Sequence, residues 1–303
     1  VDARTQLMSC SREPLASAPM EARTAMRDYR PDIDGLRALA VIAVVFFHAE
    51  LLPFRGGYVG VDVFFVISGF LISRIILSEM RQGRFSLLHF YERRARRILP
   101  AFLAVAMATA IVGAVVMAPR DVERLGQSLL SALLFGSNVY FWQTFGYFDT
   151  IGLDRPLLHT WSLSVEEQFY ILYPLLMIWA ARDLERRVRL LLVIFIASLG
   201  GSILLLEARP TATFYLAPLR AWELLLGAAL VVLPVPAVDR KGVLNLIGFA
   251  GAVLIIGPIL AFDKTTPFPG LAAVPPTLGT LMLIYSGASA ATWTQRALGW
   301  TPL

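Results

Sequence analysis

Cysteine, histidine and charge are all scarce in this chain. One cysteine, Cys10, among 303 residues excludes an intramolecular disulfide and leaves the redox compartment open. Three scattered histidines form no His/Cys cluster with metal-ligand spacing, so no metal is expected. Charged residues make up 16% of the chain, against about 25% in a soluble domain. There is no Gly-x-Ser-x-Gly elbow to support a hydrolase and no internal repeat of fixed period. Residues 1–33 are polar and of mixed charge, without an early apolar core or a small-residue cleavage site. A disordered tail is expected there rather than a cleaved signal peptide.

What is abundant is apolar surface. Hydrophobic residues reach 57% and the mean hydropathy is +0.65. Several runs attain the ~20 residues needed to cross a bilayer as helix, and most are apolar all round. The chain therefore reads as an all-α polytopic membrane protein. About eight spanning helices are expected: 34–54, 57–80, 98–118, 159–181, 190–206, 214–233, 242–262 and 270–290. Residues 125–145, interrupted by Gly136, Ser137 and Asn138, read as re-entrant or interfacial. The net charge of +5 is then a matter of topology loop by loop, not a nucleic-acid footprint. Six arginines against one glutamate between Arg81 and Arg97 make that loop cytoplasmic, with the N-terminus inside. Its mixture of Phe85, Leu87, Leu88, Phe90 and Tyr91 with arginine also suits a helix lying along the membrane surface.

Ionisable groups inside such spans are expensive and mark functional sites by default. Arg37 and His48 stand eleven residues apart on the first span, on nearly one face and ~16 Å apart along the axis. A lone histidine on an apolar face is more often satisfied by a neighbouring carbonyl, and that reading stays open. Asp62 lies near the start of the second span, where interfacial and site roles are both available. Arg93, Arg94, Arg96 and Arg97 form either a topology signal with anionic-lipid contacts or a guanidinium cluster gripping a phosphorylated ligand. In His159–Ala181, Ser162, Ser164, Glu166, Glu167 and Gln168 enter the membrane together. The two adjacent acids point in different directions, so at most one is expected to face inward. Arg220 and Glu223 stand at i,i+3, a spacing that lets them pair on one helix face.

Five strings, in order, carry a family resemblance: YRPDIDGLRALAVIAVVFFHAE, GGYVGVDVFFVISGFLIS, FYERRARRILP, HTWSLSVEEQFYILYP and PLRAWELLLGA. Together they cover roughly residues 29–233, and the chain resembles the acyltransferase-3 family of bacterial integral membrane O-acyltransferases. The resemblance implies transfer of an acyl group, usually acetyl from cytoplasmic acetyl-CoA, to a hydroxyl of a cell-envelope or secreted glycan. It implies a multi-pass protein of the bacterial inner membrane. His48 matches the family's intramembrane histidine and Arg37 the arginine on the same helix. Arg93, Arg94 and Arg97 match the cluster thought to meet the donor. Glu166, and less surely Glu167, matches the acid of the WSLSVEEQFY string, and Arg220 and Glu223 match a later helix. Relatives continue into further helices, so the acyltransferase domain is expected to occupy 34–290, C-terminally truncated, followed by a cytoplasmic end at 291–303.

The implied partners are acyl-CoA, a glycan or lipid-linked saccharide and membrane lipids, with no nucleic acid. His48 can serve as general base or as a covalent acyl carrier. Glu166 would orient or charge-balance the imidazole, and Arg37 or Arg220 could stabilise the developing oxyanion. The rival readings are a glycan-lipid transporter or flippase lined by the same polar groups, and a non-catalytic scaffold.

Overall fold

The structure is a computed structural model that describes residues 30–144, 155–180, 183–236, 238, 240–288 and 292–299. Cys10, nearly all of the expected tail and parts of the expected C-terminal end lie outside the described residues, as does Asp239.

Among the described residues the chain is helix joined by turns. The first helix, α1 (Pro31–His48), starts on a proline with Asp32 and Asp34 in its first turn, where acids favour the helix dipole. A short 3₁₀ turn, Gly57–Val59, leads into α2 (Gly60–Arg81). Ser86 caps α3 (Leu87–Val116), whose 30 residues extend ~45 Å, well beyond a ~30 Å hydrocarbon core. Then come α4 (Pro119–Leu133), α5 (Ser137–Thr144) and α6 (Thr160–Trp179). Asp183 caps α7 (Leu184–Leu204) by accepting from the Glu185 and Arg186 amides. The rest are α8 (Pro210–Tyr215), α9 (Ala217–Val232), α10 (Lys241–Ala261), α11 (Val274–Ser286) and α12 (Trp293–Leu298).

Among the described residues, five segments are long and apolar enough to cross a membrane: 57–81, 87–116, 184–204, 210–232 and 241–261. The expected count of eight is thus not met on those terms. The remaining three helices fall short for physical reasons. Helix α1 carries Asp32, Asp34 and Arg37 within 18 residues, α6 opens with a polar half, and α11 has 13 residues. All three pack against other helices, which can satisfy groups that lipid cannot.

The long helices alternate in direction. Ser68 and Ser73 of α2 bond to Glu166 and Tyr173 of α6, so those two helices run the same way. Gly56 donates to Ile259 O at the C-terminal end of α10, and Arg30 reaches Ile284 O near the end of α11. One end of the bundle therefore gathers Arg30, the 82–86 turn and the start of α3, and is called the arginine end here. The opposite end gathers His48, residues 49–59 and the 262–269 turn.

The centre is the α2–α9 pair. Gly69 lies against the backbone oxygen of Leu224 and Gly227 against that of Val66, so neither position has room for a Cβ. Such close approach through small residues replaces hydrophobic drive in a membrane. Gly57 and Gly60 similarly abut Ala43 and Ala40 of α1. Around them Leu36, Val59, Val63, Phe65, Trp161, Tyr215 and Trp222 form the core. Helices α3 and α7 sit outside, exposing Met107, Ile111, Val115, Val193 and Ile196 to the surroundings.

Two local expectations are corrected. The basic 85–97 stretch is no separate surface helix: from Leu87 it forms the first turns of α3, with no break between Arg97 and Ile98. The expected span 214–233 is two helices parted at Leu216, which is extended. Residues 119–144 form a hairpin that turns at Phe135 (φ 51°), beside the expected interruption at Gly136–Asn138. Tyr140 on its return arm reaches Arg124 O near the start of its first, so the hairpin goes back toward the end it came from.

Candidate functional site

A recess of about 190 Å³ opens between α1, α2, α3 and α6. Arg37 enters it from α1, Ser68 from α2, Arg94 and Arg97 from α3, and Glu166 and Tyr170 from α6. The Glu166 carboxylate is held on both oxygens. Ser68 Oγ donates to Oε1 at 3.1 Å and Tyr170 Oη donates to Oε2 at 3.1 Å, one helical turn away. Arg94 lies over the rings of Tyr170 and Phe90, 5.3 and 5.8 Å from their centroids. Flat aromatic faces hold a guanidinium by cation–π attraction while leaving its N–H edges available. Three guanidiniums thus share the recess with one carboxylate, an arrangement suited to an anionic ligand.

The arginine cluster is divided by the helix turn. Arg94 and Arg97, three residues apart, face the recess. Arg93 points elsewhere, donating to Glu79 at 2.7 Å, and Arg96 pairs with Glu92 at 2.6 Å. Of the three expected donor-binding arginines, two line the recess and Arg93 closes α3 onto the end of α2.

Glu167 is buried beside Glu166, and its Oε1 has no hydrogen-bond partner. Both acids therefore face protein, against the expectation that only one would. Their directions differ, but α6 is covered on more than one side, by α2, by the α4–α5 hairpin and by α9.

His48 is elsewhere. It is the last residue of α1, ~16 Å along the axis from Arg37, at the opposite end. Its ring lies edge-on to Phe47, at 5.2 Å between centroids, and it interacts electrostatically with His159 and Lys264. Glu166 does not orient it, since that carboxylate is taken by Ser68 and Tyr170. The structure brings Arg37, Arg94, Arg97 and Glu166 together and leaves His48 apart from them.

Asp62, Arg220 and Glu223 form a third group, fully buried between α2 and α9. Arg220 donates to Asp62 Oδ1 at 2.8 Å and lies 3.2 Å from Glu223 Oε1. The rings of Phe65, Trp161, Phe214 and Phe268 surround its guanidinium, with centroids 5.4–5.8 Å away. Asp62 is enclosed by protein, and Arg220 lines no part of the recess. Removing one partner from such a buried group costs several kcal/mol.

Sequence reasoning passed over Ser68 as a carboxylate ligand, Tyr170 as its second donor, and Asn138. Asn138 and Gln168 exchange hydrogen bonds at 3.3 and 2.8 Å and also engage Tyr215 O and Phe135 O, tying the hairpin to α6. The interruption at Gly136–Asn138 signalled a break, but nothing local pointed to a partner 30 residues on. Among the described residues no group of three or more His, Cys, Asp or Glu side chains is placed to hold a metal ion.

The peptidoglycan O-acetyltransferase OatA of Listeria monocytogenes is 34% identical over 236 residues, 73% of this chain and 38% of that protein. The O-acetyltransferase OatA of Staphylococcus aureus is 32% identical over 241 residues, 75% of this chain and 40% of that one. An uncharacterized protein of Haemophilus influenzae is 34% identical over 240 residues, 74% of this chain and 97% of its own length. The chain thus spans about two fifths of the length of the two named O-acetyltransferases. No solved structure matches it significantly. The acyltransferase domain family matches residues 30–301, nearly the whole described chain, and this protein belongs to that family.

Proposed function

We propose that this chain is a membrane O-acyltransferase that moves an acyl group, acetyl in the simplest case, from acyl-CoA to a hydroxyl of a cell-envelope glycan. The observation that carries the reading is the convergence of Arg37, Arg94 and Arg97 on one recess at the arginine end. CoA is a polyphosphate on a long flexible arm, and guanidiniums recognise phosphate by paired charge-assisted hydrogen bonds. The named relatives, both O-acetyltransferases, support the reaction class.

The separation of the recess from His48 gives the arm its purpose. With the phosphates held by Arg94 and Arg97, the thioester is carried along α1 toward the imidazole. There the acceptor hydroxyl oxygen attacks the thioester carbonyl as His48 takes its proton. The C–O bond forms, the C–S bond breaks, and the proton passes to the departing thiolate. In the covalent variant a His48 ring nitrogen attacks the thioester carbonyl, the C–N bond forms as the C–S bond breaks, and the thiolate leaves with the ring's proton. The acceptor hydroxyl oxygen then attacks the acyl carbon, the C–N bond breaks, and the hydroxyl proton returns to the imidazole. Glu166, fixed by Ser68 and Tyr170, balances the charge of the arginines. On this reading the arginine end is cytoplasmic, the N-terminus lies inside and the membrane is the bacterial inner membrane, as the positive-inside rule favours.

The test is direct. Membranes bearing the full chain are given acyl-CoA labelled in the acyl group together with a glycan acceptor. The reading requires base-labile, ester-linked label on the glycan. Absence of ester, with correctly folded protein and both substrates present, refutes it.

A further inference from the structure

The opposite end carries a larger cleft than the recess, about 440 Å³, and nothing above uses it. That size falls within the roughly 300–1,000 Å³ of small-molecule sites. One wall is apolar, from Phe47, Leu51 and Phe54. The rim is charged, with Glu50 and Arg55 on one side and Asp263 and Lys264 on the other. We propose that this cleft is the acceptor subsite and that it takes a neutral sugar residue of the glycan. The proposal rests on the transferase reading above and names where the hydroxyl comes from.

The cleft is built rather than incidental. Helix α1 ends in a paired-turn cap: Leu51 N–H donates to Phe46 O and Glu50 N–H to Phe47 O. The residue in the left-handed position of such a cap is usually glycine, yet here it is Glu50, at φ 55°. That conformation costs a non-glycine residue roughly 1–2 kcal/mol. The ion pair of Glu50 with Lys264, at 3.1 Å, is half-exposed or more on both sides and repays little of that. Stability does not explain a glutamate at this position, whereas a ligand above it does. The facing turn is anchored too. Tyr58 Oη donates to Asp263 O at 3.1 Å, and Gly56 N–H donates to Ile259 O at 2.9 Å.

The chemistry selects the ligand. Two acids and two bases leave the rim without net charge, so it offers no preference for phosphate or an anionic polymer. Carboxylates accept from sugar hydroxyls, and the apolar wall suits the C–H face of a pyranose ring. Asp263 is held below the usual carboxylate range by hydrogen bonds from the Thr265 hydroxyl and amide, at 2.6 and 2.8 Å, and stays an acceptor. His48 lies just behind the rim: it is the residue next to Phe47 of the apolar wall and interacts electrostatically with Lys264 of the rim.

The test uses the full chain in lipid nanodiscs with tritiated chitotetraose, a neutral oligosaccharide, as the probe. Glu50→Gln and Asp263→Asn keep the shape of each side chain, and CoA binding at the arginine recess, which neither residue touches, checks the fold. Saturable chitotetraose binding is expected, unaffected by a sulfated oligosaccharide competitor and weakened roughly tenfold to a hundredfold in either variant. Equal binding by the variants, displacement by the sulfated competitor, or no saturable binding by the unsubstituted chain overturns the proposal. The two readings fail separately. Glycan acylation with unaltered binding in the variants removes the subsite and leaves the transferase. Variant-sensitive binding without acylation keeps the subsite and removes the transferase.

Discussion

Replacing neighbouring arginines one at a time separates ligand binding from helix packing. Arg93 and Arg94 are adjacent in sequence and identical in kind, but only Arg94 lines the recess. Arg94→Gln removes the charge and the paired donors while leaving a side chain against Tyr170. Hydrogen bonds to charged partners contribute roughly 1.5–3 kcal/mol each, so losing one phosphate contact raises the half-saturating acyl-CoA concentration by about tenfold to 150-fold. Arg93→Gln breaks the 2.7 Å bond to Glu79, where the two side chains are 37% and 25% exposed. A partly exposed pair of that sort is worth about 1 kcal/mol or less. The expected result is a small loss of thermal stability with donor affinity kept. Equilibrium binding of labelled CoA to nanodisc-embedded protein, beside a thermal melt of each variant, reads both quantities. Equal loss of CoA affinity in the two variants would refute the division of the cluster, and so would an unchanged affinity in Arg94→Gln.

Two further substitutions probe the scaffold. Arg220→Met strands Asp62 and Glu223 in a buried site and is expected to cost about 3–5 kcal/mol, whereas adding Asp62→Leu and Glu223→Leu recovers much of that. Thermal melts of the single and triple variants decide, and a triple variant no more stable than the single would contradict this. Gly69→Ala puts a methyl onto the Leu224 carbonyl, forcing α2 from α9 at a cost of roughly 1–3 kcal/mol. Gly126→Ala, inside α4 where a Cβ meets nothing within 4 Å, is the matched control in the same melt and is expected to stabilise by about 0.5–1 kcal/mol.

Features set by neighbours in sequence were legible before the structure. The i,i+3 pairing of Arg220 with Glu223 is a property of helix geometry and appears as expected. The small residues Gly57, Gly60 and Gly69 announce close packing, and each is found against a backbone carbonyl. The interruption at residues 136–138 marks a real break in the helix. Features set by partners across the bundle were not. Asp62 meets Arg220 from 158 residues away, so its burial could not be told from an interfacial position. Glu166 looked like a partner for His48 because both are ionisable and intramembrane, but Ser68 and Tyr170 claim it first. The split between Arg93 and Arg94 follows from the ~100° between successive helical residues, once Glu79 and Tyr170 are known to flank α3. The count of eight spans is not confirmed where polar groups shorten an apolar run, as in α1 and α6.

The central claim is transfer from a donor at the arginine end to an acceptor at the His48 end. Proteoliposomes with the chain in one orientation separate the two, with acyl-labelled CoA confined to the arginine side and the glycan to the other. The account predicts labelled ester on the glycan, lost by a factor of about 10² or more in His48→Ala with CoA binding retained. Label that reaches the glycan only when both substrates share a side, or that survives His48→Ala undiminished, would contradict it.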